Sequence, residues 1–198
     1  MRDIASLTDV CFVRQKEQLG LGHAVLATKD IVGDEPFALL LPDDIIDSQV
    51  PALRQLIAVY EQYDASVIAV ERVSYESAAS YGIITPRELA PRLFEVLRLV
   101  EKPEPAKAPS NLGIVGRYVL SPGIFAALEA TPRGAKGEIQ LTDALSLLLK
   151  EQRILALEFS GTRYDVGNPL GWLKANIAFG LASPDLAPPL REYLRKLL

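Results

Sequence analysis

The chain has 198 residues, enough for one substantial core or for one domain with a small appendage. Hydrophobic residues make up 49% and charged residues 23%, the ordinary balance of a globular protein, and a net charge of −4 leaves no basic stripe to neutralise the phosphates of a nucleic acid. The single cysteine, Cys11, excludes an internal disulfide and a cysteine-rich zinc site, and no apolar run approaches the roughly 18 residues that cross a bilayer. The start, Met1-Arg2-Asp3-Ile4, has no long apolar segment like a secretory signal. A soluble cytoplasmic protein without a nucleic-acid or membrane partner is expected, and a few placed Lys or Arg residues would suffice for small phosphorylated ligands.

Strand and helix patterns alternate along the chain. Val10 to Val13 reads as a short apolar strand, which would make Cys11 an inert buried thiol. Gly20-Leu21-Gly22 breaks the pattern, and His23 to Lys29 is a run of good helix formers. Phe37 to Leu41, stopped by Pro42, suits a central parallel strand buried on both faces. Pro51 to Gln62 has helical spacing, with Leu53, Leu56, Ile57 and Tyr60 on one side. Ser66 to Val70 is the next buried strand. Tyr81 to Thr85 and Leu93 to Val100 read as strands joined by the proline-bearing segment Thr85 to Pro91, and Gly113 to Leu120 as another strand. A helix over Pro122 to Thr131, a loop over Pro132 to Gly137 and a helix over Asp143 to Gln152, capped by Thr142, come next. Ile154 to Phe159 and Arg163 to Val166 are the last strands, and two helices, near Pro169 to Leu181 and Leu190 to Leu198, finish the chain. The stretch Lys102 to Ser110 is too short to separate domains and reads as a surface loop. The pattern is α/β with a mixed sheet.

Three places carry residue types suited to chemistry. Asp43 follows a strand at its C-terminal end, the edge of open α/β sheets where ligands bind. It could hold Mg²⁺, which takes one or two protein carboxylates and completes its shell with phosphate oxygens and water; alternatively Asp43 or Asp44 caps the turn after Pro42. Asp165, before Gly167 and a helix, is either a second metal carboxylate or an N-terminal cap. Glu101 and Lys102 are adjacent on a strand end, where alternation points them to opposite faces and argues against a mutual salt bridge. Glu101 could accept sugar hydroxyls while Lys102 offers a point charge to a phosphate, or the pair is a solvated turn before Pro103. Gly20-Leu21-Gly22 lacks the spacing of a dinucleotide or P-loop fingerprint, although its glycines permit close backbone approach to a planar base. His23, the only histidine, has no neighbouring Ser, Cys or second His and reads as structural.

Read in order, these strings resemble a known family. Arg14-Gln15, Gly20-Leu21-Gly22-His23-Ala24-Val25, Gly33-Asp34-Glu35-Pro36-Phe37-Ala38 and Leu41-Pro42-Asp43 are similar to bacterial UTP–glucose-1-phosphate uridylyltransferase. The likeness continues through Tyr81-Gly82, Val100-Glu101-Lys102-Pro103, Ile114-Val115-Gly116-Arg117-Tyr118, Glu138 to Ala144 and Asp165-Val166-Gly167-Asn168. The thymidylyltransferase relatives share the Glu-Lys-Pro and acidic motifs, but Gly-Leu-Gly-His and Ser110 to Tyr118 point to the uridylyl branch. The resemblance implies a three-layer α/β/α, Rossmann-like nucleotide-diphospho-sugar transferase fold with a mixed sheet. Residues 1–73 would be the remainder of the nucleotide-binding region, 74–168 the sugar-phosphate and metal region, and 169–198 the C-terminal helices.

It also implies roles. Gln15 and the backbone of Gly20 match the uracil-recognising residues, Asp43 and Asp165 the magnesium carboxylates, Glu101 the sugar-hydroxyl acceptor, Lys102 the sugar-phosphate contact and Gly82 a backbone contact to the sugar. The implied catalytic residues are Lys102 and Asp43, the cofactor Mg²⁺, and the partners UTP, glucose 1-phosphate and UDP-glucose. The chain departs from the family by lacking the first strand, the Gly-x-Gly-Thr-Arg loop and the following Pro-Lys, a βαβ unit of at least about 30 residues. It is therefore expected to be N-terminally incomplete and weakly active or inactive alone; the alternative is a non-catalytic sugar-phosphate, nucleotide-binding or assembly module. The apolar residues of the last two helices suit either self-association into a homo-oligomer or docking on the core.

Overall fold

The computed structural model describes residues 7–134 and 137–197. Ala135 and Lys136 of the expected loop, and Leu198, lie outside them. In chain order the elements are α1 (Leu21–Leu26), α2 (Lys29–Val32), β1 (Phe37–Leu40), β2 (Asp44–Asp47), α3 (Ala52–Tyr63), β3 (Ser66–Arg72), β4 (Gly82–Ala90) and β5 (Leu93–Glu101). They continue with β6 (Leu112–Leu120), α4 (Gly123–Ala130), α5 (Leu141–Leu148), β7 (Ile154–Glu158), β8 (Thr162–Asp165), α6 (Pro169–Ala182) and α7 (Ala187–Leu197).

A 6-stranded sheet runs in the order β1-β6-β3-β7-β5-β4. Only β3 and β7 are parallel; the other neighbours are antiparallel, so the sheet is mixed as expected. Its centre, β3, is buried on both faces because alternate residues feed different cores. Val67 and Ala69 pack with Leu56 and Ala52 of α3, while Ile68 and Val70 pack with Val25, Ile124, Leu128 and Leu145 of α1, α4 and α5. Helices thus cover both sheet faces, the three-layer α/β/α arrangement. Leu56 has no exposed surface and contributes about 2 kcal/mol by its burial.

Several expectations are corrected. Val10 to Val13 is not a strand: it lies in irregular chain with Phe12 92% exposed, and no described strand runs beside it to satisfy its backbone. Cys11 is accordingly exposed rather than buried. The apolar run at Phe37 forms β1 at the edge of the sheet, antiparallel to β6, with alternating burial; Phe37 stacks on Phe125 at 5.2 Å while Leu40 is half exposed. The segment after Thr85 does not connect two strands but extends β4 through Pro86, where a register shift tolerates the missing N–H. The turn falls instead at Pro91-Arg92, with Arg92 at φ 67°. Thr142 lies inside α5, whose N-cap position is Gln140.

A separate 2-stranded ribbon, β2 with β8, is tied to β6 of the main sheet through Asp44, which accepts the Gly116 N–H. Beyond it, α6 buries only Ala175, leaving Trp172 and Leu173 exposed. Among the described residues no helix is long and apolar enough to cross a membrane.

Candidate active site

After β1 the chain turns back on itself: the Asp44 N–H donates to the Leu41 carbonyl at 3.3 Å, and the Leu41 N–H donates to the Gly116 carbonyl at 2.9 Å. The turn separates two neighbouring acids. Asp43 is exposed at the cleft, whereas Asp44 points inward, accepts the Gly116 N–H on Oδ2 at 2.6 Å and pairs through Oδ1 with Arg163. Gly116 is required there, because a Cβ would sit 2.5 Å from Asp44 Oδ2 and 2.6 Å from Leu41 Cβ. Arg117 clamps the same turn by donating to the carbonyls of Leu41 (2.9 Å), Gly116 (2.7 Å) and Asp44.

Ribbon register decides what faces Asp43. Asp44 pairs with Asp165, and the Val166 N–H donates to the Asp43 carbonyl at 2.8 Å. Both carboxylates then close on Gly167, where an added Cβ would lie 3.1 Å from Asp43 Oδ2 and 3.2 Å from Asp165 Oδ1. Asp165 does not cap the following helix; Asn168 does, accepting the Gly171 N–H at 2.8 Å. Two hard oxygens thus meet in a small cradle that a larger side chain would fill. No described cluster of three or more His, Cys, Asp and Glu forms an all-protein cage. Such a pair suits a hard divalent cation that keeps water or phosphate in its remaining positions.

On the opposite wall, β4 and β5 pair Gly82 with Glu101. A Cβ at Gly82 would lie 3.0 Å from Thr142 Oγ1 and 3.3 Å from Glu101 Oε2, so the backbone itself forms the floor between those two acceptors. Glu101 and Lys102 do pair, Nζ to Oε1 at 3.4 Å, contrary to the alternation argument. The strand ends at Glu101, and Lys102 turns to φ 45° with its N–H held by the Tyr81 carbonyl at 2.9 Å, which swings its side chain back. One cavity of about 380 Å³ is lined by Asp43, Asp165, Gly82, Glu101, Lys102 and Thr142.

Gln15 and Gly20 are not in that lining, although Leu21 is. Gln15 Nε2 donates to the Gly20 carbonyl at 3.1 Å and lies 2.8 Å from His23 Nδ1. The close approach permitted by Gly20 and Gly22 is to residues 138–139: Gly22 donates to the Ile139 carbonyl at 2.9 Å, and a Cβ would come within 2.6 Å of it.

The field in the cleft is acidic. Burial pushes the Tyr118 phenol up, and Asp44, Glu101 and Asp43 add to the effect. Asp143 is also raised, by burial and then by Glu101. Arg117 is lowered by burial and by Arg163, against the pull of Asp44 and Asp43.

Sequence reasoning missed Arg163, Asp44, Tyr81 and Thr142. A signal for one was present: Arg163 and Asp165, two apart in a strand, share a face.

The nucleotidyl transferase family pattern matches residues 2–179. UTP–glucose-1-phosphate uridylyltransferase of Staphylococcus epidermidis is 46% identical over 191 residues, covering 96% of this chain and 66% of the relative. The Bacillus subtilis UTP–glucose-1-phosphate uridylyltransferase YngB is 46% identical over 198 residues, covering 100% of this chain and 67% of the relative. A UDP-glucose pyrophosphorylase structure complexed with UDP-glucose superposes with a TM-score of 0.89 at 40% identity, over 92% of this chain and 70% of that one. The chain spans about two thirds of the length of these relatives. It belongs to the nucleotidyl transferase family, among relatives that are UTP–glucose-1-phosphate uridylyltransferases.

Proposed function

We propose that this cleft is the sugar-phosphate and metal side of a site that forms UDP-glucose and pyrophosphate from UTP and glucose 1-phosphate. The observation that carries the reading is the meeting of Asp43 and Asp165 at Gly167, in the same cavity that Gly82, Glu101 and Lys102 line. In the reaction, a phosphate oxygen of glucose 1-phosphate attacks the α-phosphorus of UTP. The new P–O bond forms in line as the bond to pyrophosphate breaks, and no covalent enzyme intermediate is needed. Glu101 accepts hydrogen bonds from sugar hydroxyls above the Gly82 backbone, and Lys102 sets a positive charge against the sugar phosphate. Gln15, with its amide nitrogen beside the Gly20 carbonyl and His23, keeps Oε1 to accept from the uracil, and the Gly20 backbone borders the same base. Asp43 and Asp165 would hold Mg²⁺, which when bound neutralises phosphate charge.

The test is calorimetry of the 198-residue chain with UDP-glucose and Mg²⁺. Binding is expected, weakened about tenfold by Glu101→Gln, which removes one strong charged acceptor. An absence of binding heat, or equal affinity in the variant, would overturn the reading.

A further inference from the structure

Arg163 is a charged side chain of the cavity lining to which the reaction above gives no task. Its side chain is only 10% exposed, and Asp44, its partner, only 7%. Buried charge is costly, and a buried ion pair often adds no more stability than apolar residues of the same shape. Geometry is what such a pair supplies, and here the geometry is specific. The guanidinium pairs through Nε with Asp44, through Nη1 with Glu71 Oε1 at 2.6 Å, and donates from Nη1 to the Tyr81 hydroxyl at 3.1 Å. It also lies 5.4 Å from the centre of the Tyr81 ring. Burial opposes its charge, but the Tyr81 hydrogen bond and the Asp44 and Glu71 carboxylates outweigh it, so the group stays charged.

Each contact leads to a different region of the cleft. Asp44 is next to Asp43 and holds the β1–β2 turn through Gly116. Arg163 itself is two residues from Asp165, which it approaches only to 4.0 Å. Tyr81 precedes Gly82, and its carbonyl fixes the backbone of Lys102. Because Arg163 is occupied by Asp44 and Glu71, the Asp165 carboxylate is not tied up in a close ion pair, and Asp43 has no ion-pair partner among the described residues. We infer that Arg163 is a positioning residue that locks the two cation-facing strands to the sugar-facing strand, presenting Asp43 and Asp165 to a divalent cation while it sets the start of β4 under the sugar. The inference rests on the reading of the site given above.

Lysine keeps the charge but cannot serve Asp44, Glu71 and the tyrosine hydroxyl together, since it offers a point charge rather than a planar fork. Arg163→Lys is therefore expected to weaken Mn²⁺ binding, followed by water-proton relaxation with no nucleotide present, by about tenfold, the scale of outer-shell substitutions at metal sites. UDP-glucose affinity without metal should fall as well, about threefold. Asp44→Asn should weaken Mn²⁺ similarly, and the double variant should be no worse than either single one, as expected of two members of one unit. Where Arg163→Lys fails to fold, Tyr81→Phe, which removes only a hydroxyl, should still weaken UDP-glucose binding about twofold to threefold. Unchanged Mn²⁺ affinity in folded Arg163→Lys, or unchanged UDP-glucose affinity in Tyr81→Phe, would sink the inference while leaving the site reading intact. Failure of the unsubstituted chain to bind Mn²⁺ at all would overturn both.

Discussion

Gly116→Ala is expected to destabilise the protein by about 3 kcal/mol and to lower its melting temperature by about 10 °C. The methyl would enter a space already filled from two sides, 2.5 Å from Asp44 Oδ2 and 2.6 Å from Leu41 Cβ. Neither neighbour can give way cheaply. Leu41 is held by the Gly116 carbonyl, and Asp44 is bound by Arg163 and by the Gly116 N–H that the methyl crowds. Displacing Asp44 exposes the desolvation cost of its charge, so a packing defect becomes an electrostatic one. The effect should also reach the cleft, because Asp43 rides on the same turn. Thermal unfolding and Mn²⁺ affinity should therefore deteriorate together; a melting temperature within about 2 °C of the parent's, on the order of half a kcal/mol, would refute the steric account.

Asp43→Asn and Asp165→Asn should separate those two properties. Each is expected to weaken Mn²⁺ binding by at least about a hundredfold, beyond the range of outer-shell substitutions, and to remove the Mg²⁺ dependence of UDP-glucose binding. Neither should harm the fold. Asp43 is exposed, and an asparagine at 165 can still accept the Gly167 N–H that Asp165 Oδ1 accepts at 3.0 Å. Removing one of two neighbouring negative charges relieves repulsion in the metal-free protein, so its melting temperature should hold or rise slightly. Metal titration against thermal unfolding checks both halves; retained Mn²⁺ affinity in both variants would remove these carboxylates from the site.

How far sequence reading succeeded depended on whether the answer was local. Ser66 to Val70 and Phe37 to Leu41 carry nearly the same apolar signal, yet one is the doubly covered centre of the sheet and the other its edge. Nothing in the two runs themselves tells them apart: α3 immediately precedes Ser66 and covers one face, but the cover of the other face is supplied by α1, α4 and α5 from distant chain. Val10 to Val13 failed for a related reason: β-branched residues favour a strand only where a neighbouring strand accepts their hydrogen bonds. Glu101 and Lys102 failed differently. The alternation rule assumes both residues stay in the strand, and Lys102 leaves it with a positive φ. At the site, Asp43, Gly82, Glu101, Lys102 and Asp165 were legible through their order along the chain and do line one cavity. Arg163 and Asp44 were not singled out, since the meaning of each lies in a partner 119 residues away.

That separation has a kinetic side. The β2–β8 ribbon consists of four paired residues on each strand, and its closure waits for nearly the whole intervening chain to find its place. The central strands and α3 can assemble without it, whereas the ribbon's apolar residues dock on surfaces formed elsewhere, Ile46 against the core beneath α3 and Tyr164 on Phe179 of α6. It is expected to consolidate late in refolding, its amides at 44–47 and 162–165 gaining hydrogen-exchange protection after those of β3 and β6. A pulse-labelling experiment that found the ribbon protected first would contradict this. On that time course the scaffold forms first, and a divalent cation encounters its two carboxylates together only after the ribbon has closed.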